Sequence, residues 1–492
     1  MSTTAPAAAT GFCRVTIVAP DSRIDVALPE DVPVADLYPE ILRLSGQTPA
    51  EGAPVGYHLV RRDGGVLDSA RSFAAQRILD GEVLSLRPFA ESLPPAVFDD
   101  VSDAVASAVS RDRRMWSDDL MRGAGLVGGV VLLALMAFVL WFADPVRHDM
   151  HGLPGIIAAV TGVLLIAFAA VRARVYDDRT CAVALGLAAL PHVMIAGSGL
   201  LPLAEGSGIG RLQFLLGCVA VLVASVALIA AAPGGDAPFV AAAFAATVGT
   251  LATFTGILAE FSPVETAALC VPVAVGTVAF LPGLSARFAR LPIGYTAPRT
   301  GALRYDEDPD AAPDTGGPVD ADRIAAQARR GHETLLGLVG GCAAVVVAAA
   351  AVLGFSDSGW GLLLALAAGL GTLMRARLFP YTAQVACTLG AGLAALALLA
   401  LGLALNPPAE LLQKLLAGDD GALDLRTIWL SAALAAAAAL LTAIGLIVPR
   451  RGVTPFWGRF LDIAEGFVLL SLVPLCLAVL DVYAAARSMT SS

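Results

Sequence analysis

Eleven apolar runs, each long enough to cross a bilayer, dominate this chain and leave it little choice of architecture. They lie at roughly 123–142, 153–171, 180–199, 212–232, 238–259, 265–283, 334–355, 359–374, 381–405, 427–448 and 463–485. A run of about 18 or more apolar residues reads as a transmembrane helix. The eighth run is short, near 24 Å at about 1.5 Å per residue, but Trp360 on one side and Arg375 and Arg377 on the other mark its two ends. Of the 492 residues, 57% are apolar and 15% charged, whereas a soluble domain is nearer half apolar and a quarter charged.

The N-terminal part of the chain is different and reads as a small soluble domain over residues 12–90, after a disordered N-terminus at 1–11. That N-terminus lacks the basic start of a signal peptide. Cys13–Val18 and Ile24–Leu28 alternate like strands, with Asp21 and Ser22 as turn residues between them. A helix is expected after Pro33, with Val34, Leu37, Tyr38 and Ile41 forming one stripe and Pro39 kinking or shortening it. Tyr57–Arg61 and Val83–Arg87 supply two more strands, preceded or followed by Asp80-Gly81 and Asp63-Gly64-Gly65 turns. Strand, strand, helix, strand, strand fits a ubiquitin-like β-grasp; another small α+β fold is the competing reading. There is no C-terminal di-glycine tail at the end of this domain, so it is not a conjugation tag.

Residues 91–122 leave the domain through Pro94-Pro95. Val97, Val101, Val105 and Val109 recur every four positions, predicting an amphipathic linker helix. Arg111, Arg113, Arg114 and Arg122, with Trp116, have the make-up of an interfacial anchor on the cytosolic side. With the N-terminus inside, cytosolic loops carry fifteen basic residues against five on the opposite loops and tail. That bias puts the soluble domain in the cytosol and residues 486–492 outside. The membrane domain, 123–485, is divided by a polar cytosolic loop at 284–333. Gly125 with Gly129, and Gly337 with Gly341, have the GxxxG spacing that permits close helix contact.

Signs of chemistry are sparse. The net charge is −10 with no long Lys/Arg block, so nucleic acid is not a partner. Lys414 is the only lysine, a bias that suggests a GC-rich genome. None of the seven cysteines forms a CxxC pair, so no zinc site or disulfide framework is implied. Embedded ionisable groups mark pumps and membrane enzymes. Here they reduce to His192 after Pro191, read as a kink with local hydrogen bonds, and Asp481 at a helix end. Glu260, Glu265 and Glu465 sit at span boundaries, where a solvated carboxylate is ordinary. His148, Asp149 and His151 form an HDxH run without an obvious further metal ligand. No phosphate loop, GxSxG elbow or HExxH helix is present. The chain is therefore read as a non-enzyme with no cofactor, and its fold class as mainly α: an eleven-helix bundle preceded by a small α+β cytosolic domain.

A ubiquitin-like domain, an amphipathic connector and eleven spans together resemble the EccD family of type VII (ESX) secretion systems. The segment Arg450-Arg451-Gly452-Val453-Thr454-Pro455-Phe456-Trp457-Gly458-Arg459, followed by Asp462 and Glu465, looks like that family's loop before the final helix. Leu79-Asp80-Gly81-Glu82-Val83-Leu84 is also similar. The resemblance implies a structural inner-membrane subunit that forms a homodimer. It would sit beside an FtsK/SpoIIIE-type (EccC-like) ATPase, a single-span EccB-like subunit and an EccE-like subunit, and support export of WXG100-type proteins. Candidate contacts to partners or membrane lipids are then Arg111, Arg113, Arg114, Trp116, Arg450, Arg451, Trp457 and Arg459. A secondary transporter of major-facilitator plan is the alternative, opposed by the missing twelfth helix, the few embedded charges and the soluble domain.

Overall fold

The computed structural model describes residues 11–20, 22–47, 56–88, 117–203, 208–231, 236–290, 321–452 and 454–490. The chain separates into two compact units, dividing between residues 115 and 116. In the first, strands β1 (Phe12–Val18) and β2 (Arg23–Pro29) pair antiparallel, with Cys13 opposite Leu28 and Ile17 opposite Ile24. Helix α1 (Val34–Leu44) follows, then β3 (Tyr57–Arg61) and β4 (Glu82–Pro88). β4 runs parallel to β1 and antiparallel to β3, giving the order β2-β1-β4-β3. A parallel pair demands a crossover, and α1 lies within it. This is the β-grasp arrangement expected from the sequence.

Val34, Leu37 and Ile41 of α1 are buried against Ile17, Leu59, Phe73, Leu84 and Leu86 of the sheet and its loops. Pro39 neither stops nor shortens the helix before Leu44. A proline inside a helix costs roughly 3 kcal/mol, but each fully buried aliphatic side chain returns about 1.5–3 kcal/mol, and the buried stripe flanks Pro39 on both sides. Pro33 is the residue before the first turn, not part of it. The first N–H groups of α1 bond instead to the 69–71 loop, Val34 N to Arg71 O and Ala35 N to Ser69 O. The Tyr38 hydroxyl accepts from Leu59 N at 3.1 Å, fastening the helix to β3. Gly81 takes φ +84°, which frees the Asp80 carboxylate to accept from Arg14 N at 2.6 Å.

Among the described residues, the second unit carries eleven helices long and apolar enough to cross a membrane. In chain order they are α2 (Asp118–Trp141), α3 (Leu153–Arg174), α4 (Arg179–Ser198), α5 (Arg211–Ala231) and α6 (Ala237–Leu258). The sixth span joins α7 (Pro263–Thr277) through a 3₁₀ turn to α8 (Leu281–Phe288). Then come α9 (Ala321–Gly354), α10 (Gly359–Arg375) and α11 (Thr382–Leu405). A short α12 (Ala409–Leu416) precedes α13 (Gly421–Arg451), α14 (Pro455–Val479) and α15 (Val482–Thr490). Polar side chains cap several starts: Ser117 accepts from Leu120 N, Asp178 from Cys181 N and Ser358 from Gly361 N. Ser262 and Glu265 form a reciprocal capping box at α7.

The main core gathers α7, α9, α10, α11 and α14 around Ala268, Val271, Ala350, Leu364, Ala365, Ala368 and Ala395. Small residues let the backbones approach: a Cβ at Gly402 would lie 2.0 Å from Gly354 O across the α11–α9 contact. Helix α13 is the exception, with none of its most apolar stretch buried. It is tied to α11 where Arg426 Nη2 donates to Leu403 O at 2.6 Å.

Several helices outrun their apolar runs. The seventh span begins at Ala321 and the eleventh at Pro455, so residues expected in the 284–333 loop and between the tenth and eleventh apolar runs are partly helical. Alanine, arginine and glutamine between 321 and 330 favour helix without favouring lipid. Hydropathy therefore marked the extent of apolar surface and not the ends of the helices. The last span stops at Val479 rather than near 485, and the chain turns at Asp481 (φ +52°) into α15.

Candidate functional site

Because the spans alternate in direction, one end of the bundle carries the start of α2 and the α3–α4, α10–α11 and α13–α14 turns. This entry face concentrates the ionic chemistry. Asp178, just ahead of α4, is the first centre. Its Oδ1 accepts from Cys181 N at 3.1 Å and from Arg122 Nη2 at 2.5 Å, and its Oδ2 accepts from Arg172 Nη2. One carboxylate, with only 8% of its side chain exposed, thus joins the starts of α2 and α4 to the end of α3. Burial raises the Asp178 pKa, but hydrogen bonds from Arg172 and Cys181 N and the charge of Arg122 outweigh it, holding the carboxyl below its ordinary range. The Arg172 guanidinium also lies 5.0 Å from the Tyr176 ring centre. Arg122, expected at the lipid headgroups, is therefore an ion-pair member.

The second centre joins α10 to α14. Arg377 donates through Nη1 to Asp462 at 3.1 Å and through Nη2 to Glu465 at 2.8 Å. Arg375 Nε stands 3.6 Å from Glu465, both side chains being about 15% exposed. Glu465 is thus not the freely solvated boundary carboxylate that the sequence suggested. It lies three turns inside α14 and is matched by two arginines. A buried carboxylate is tolerable there only because its charge is paired.

Among the candidate contact residues, Arg111, Arg113, Arg114 and Trp116 lie outside the described residues, as does most of the expected linker helix. Arg450 and Arg451 fall in the last turn of α13. Trp457 and Arg459 are both exposed on the first turns of α14. Trp457 stacks edge-on with Phe456 at 5.8 Å and Phe460 at 5.6 Å. That makes an exposed aromatic cluster on the helix that carries Asp462 and Glu465. The segment read as one loop from 450 to 459 instead contains the end of α13 and the start of α14.

Elsewhere the candidate groups point apart. His148 Nδ1 bonds Trp141 O at 3.2 Å, while His151 Nδ1 bonds Gly199 O at 3.0 Å. Among the described residues no three metal-ligating side chains converge. His192 is fully buried with Nδ1 2.9 Å from Ala188 O, one turn back, matching the local bond expected of it. Gly337 and Gly341 pack on Val240 and Phe244 of α6, inside the chain, whereas a Cβ at Gly125 or Gly129 would meet nothing within 4 Å. The Asp178 centre had a sequence signal, an acidic residue immediately before a helix. The Arg377–Glu465 pair, 88 positions apart, had none.

Comparison with known proteins now bears on both units. The family model for the EccD-like transmembrane domain matches residues 121–489. A second, for the YukD protein of the WXG100 protein secretion system, matches residues 12–86. The chain is 28% identical over 497 aligned residues to the ESX-4 secretion system protein eccD4 of Mycobacterium tuberculosis, covering 98% of each chain. It is 27% identical over 469 residues to EccD5 of the ESX-5 system from the same organism, covering 91% of this chain and 88% of the other. Its fold resembles protomer 1 of the ESX-3 core complex, with a TM-score of 0.57 at 19% identity over 96% of this chain and 100% of that one.

Proposed function

The chain belongs to the EccD family, multi-pass subunits of type VII (ESX) secretion membrane complexes, and we propose that within such a complex it is a docking frame. In this reading the β-grasp unit lies in the cytosol and engages an FtsK/SpoIIIE-type ATPase. The spans provide membrane-embedded mass beside EccB-like and EccE-like subunits, and WXG100-type proteins are exported without chemistry by this chain. The observation that supports the proposal is that one chain carries both a unit matching the YukD protein of the WXG100 protein secretion system and an EccD-like transmembrane domain.

Homodimerisation is part of the same proposal. The open glycine face at Gly125 and Gly129 and the unburied α13 both leave helix surface available for another chain. Trp457 and Arg459, exposed on α14, offer a cationic and aromatic patch for a partner or for lipid headgroups, and Arg450 and Arg451 are proposed as contacts of the same kind. Charge bias favours placing this patch on the cytosolic side, with the C-terminus outside.

The test is removal of residues 1–90 from the chain in its native host. Membrane insertion is expected to persist, while ATPase recovered with the detergent-extracted complex and exported WXG100-type protein both fall. Normal export and normal ATPase recovery by the truncated chain would remove the docking role.

A further inference from the structure

Between α5, α6, α7 and α9 the bundle leaves an apolar cavity of about 530 Å³. A lateral opening on a membrane-spanning bundle faces bilayer hydrocarbon, and apolar walls of this kind are wetted poorly by water. Its walls are built from small side chains, including Ala252 and Gly249 of α6 and Ala344 and Ala348 of α9. Phe214 and Val352 stand exposed at its lip, so the cavity opens on the side of the helix bundle.

Arg211, the first residue of α5, is the one charged residue on the lining. It sits at the far end of the bundle from the entry face, where a headgroup layer meets the spans. Its Nη1 donates to Gly256 O at 2.9 Å, leaving four of a guanidinium's five N–H groups for other partners. Glu265 of the adjoining α7 is turned back on its own helix start, Oε2 accepting from Ser262 N at 2.6 Å.

Three occupants can be weighed by size and polarity. Water would need about 18 molecules at roughly 30 Å³ each, with few polar partners on such walls. A helix from a second chain, about 10 Å across, need not bring an anionic group to Arg211, whereas a phospholipid always does. An unbranched hydrocarbon chain, which the bilayer itself supplies, fits both the volume and the lining. We propose that this cavity is a phospholipid site, with one acyl chain lodged between α6 and α9 and the lipid phosphate held by Arg211. The site is independent of any partner in secretion.

Photo-crosslinking of the full-length chain in lipid nanodiscs tests it, using phosphatidylglycerol with a diazirine near the end of one acyl chain. Adducts mapped by peptide mass spectrometry are expected at 242–253 of α6 and 344–352 of α9. Adducts confined to the outward faces of other helices, or crosslinks showing a second protein chain in the cavity, would overturn the proposal. Ala348→Phe and Ala252→Leu fill the cavity from opposite walls, at positions that are not fully buried. Each is expected to cut these adducts by roughly tenfold, the loss that two excluded methylenes would produce. Undiminished labelling in both variants, with elution and melting like the parent, would also refute it. Arg211→Gln should lower labelling by the phosphatidylglycerol probe but not by an uncharged diacylglycerol probe. Equal labelling by both would remove the phosphate assignment. Should either filling variant misfold, the map on the unaltered chain decides.

Discussion

Large side chains fill the β-grasp unit: Ile17, Ile41, Leu59, Phe73 and Leu84 are all fully buried. The centre of the helical bundle mixes a few large side chains, Val271, Leu353 and Leu364, with many small ones, Ala268, Ala350, Ala365, Ala368 and Ala395, and has glycines where backbones cross. The contrast follows from the solvent each unit displaces. In water, burying a large apolar side chain is itself the driving force. Lipid tails are as apolar as leucine, so helices in a membrane gain nothing by hiding bulk and are held by close contact and polar links. The two ion-pair centres at the entry face supply such links for α2–α4 and for α10–α14.

On that contrast, the largest single effect is expected in the β-grasp cap, residues 12–88. Phe73→Ala should destabilise the β-grasp unit by about 3–5 kcal/mol, read as lost proteolytic protection of residues 12–88 while the bundle stays intact. Simultaneous loss of the bundle would break the separation of the two units. In the membrane unit the sensitive change is the opposite one, small to large. Gly402→Ala, whose Cβ would meet Gly354 O at 2.0 Å, is expected to cost about 1–3 kcal/mol in detergent melting.

The ion-pair centres come next. Asp178→Ala leaves Arg122 and Arg172 without their shared partner and should lower bundle stability by about 1–2 kcal/mol. The smallest effect concerns acid. A carboxyl held below its ordinary pKa contributes stability that is complete above the unfolded value, about 3.9. The contribution is lost only as pH falls through the lower folded value. The melting difference between parent and Asp178→Ala should therefore hold from pH 7 to pH 5 and shrink only under stronger acid. In the cap, burial and the nearby carboxylates of Asp80, Glu30 and Glu82 raise the Cys13 thiol above its usual range. Iodoacetamide should leave Cys13 unmodified at pH 7 until the cap is unfolded.

Much of the candidate site was written locally. Asp178 precedes α4 and Ser262 precedes α7, so each could be read as a cap from its place before an apolar run. Glu465 could not be read that way. Its meaning depends on Arg375 and Arg377 arriving from a helix far back in the chain. Likewise Gly337-x-x-x-Gly341 and Gly125-x-x-x-Gly129 look alike as sequence, yet one pair packs on α6 and the other faces open space.

Eleven spans and a β-grasp order were settled by sequence alone, because run length and alternation are local consequences of lipid and water as solvents. Helix ends were not, since polar helix formers extend α9 and α14 beyond what hydropathy can see. The partners of Arg377, the bare face of α13 and the cavity beside Arg211 were decided only by tertiary packing. Each depends on which helices lie side by side, and between membrane helices that choice rests on the fit of small residues whose sequence pattern is shared by contacts and open faces alike.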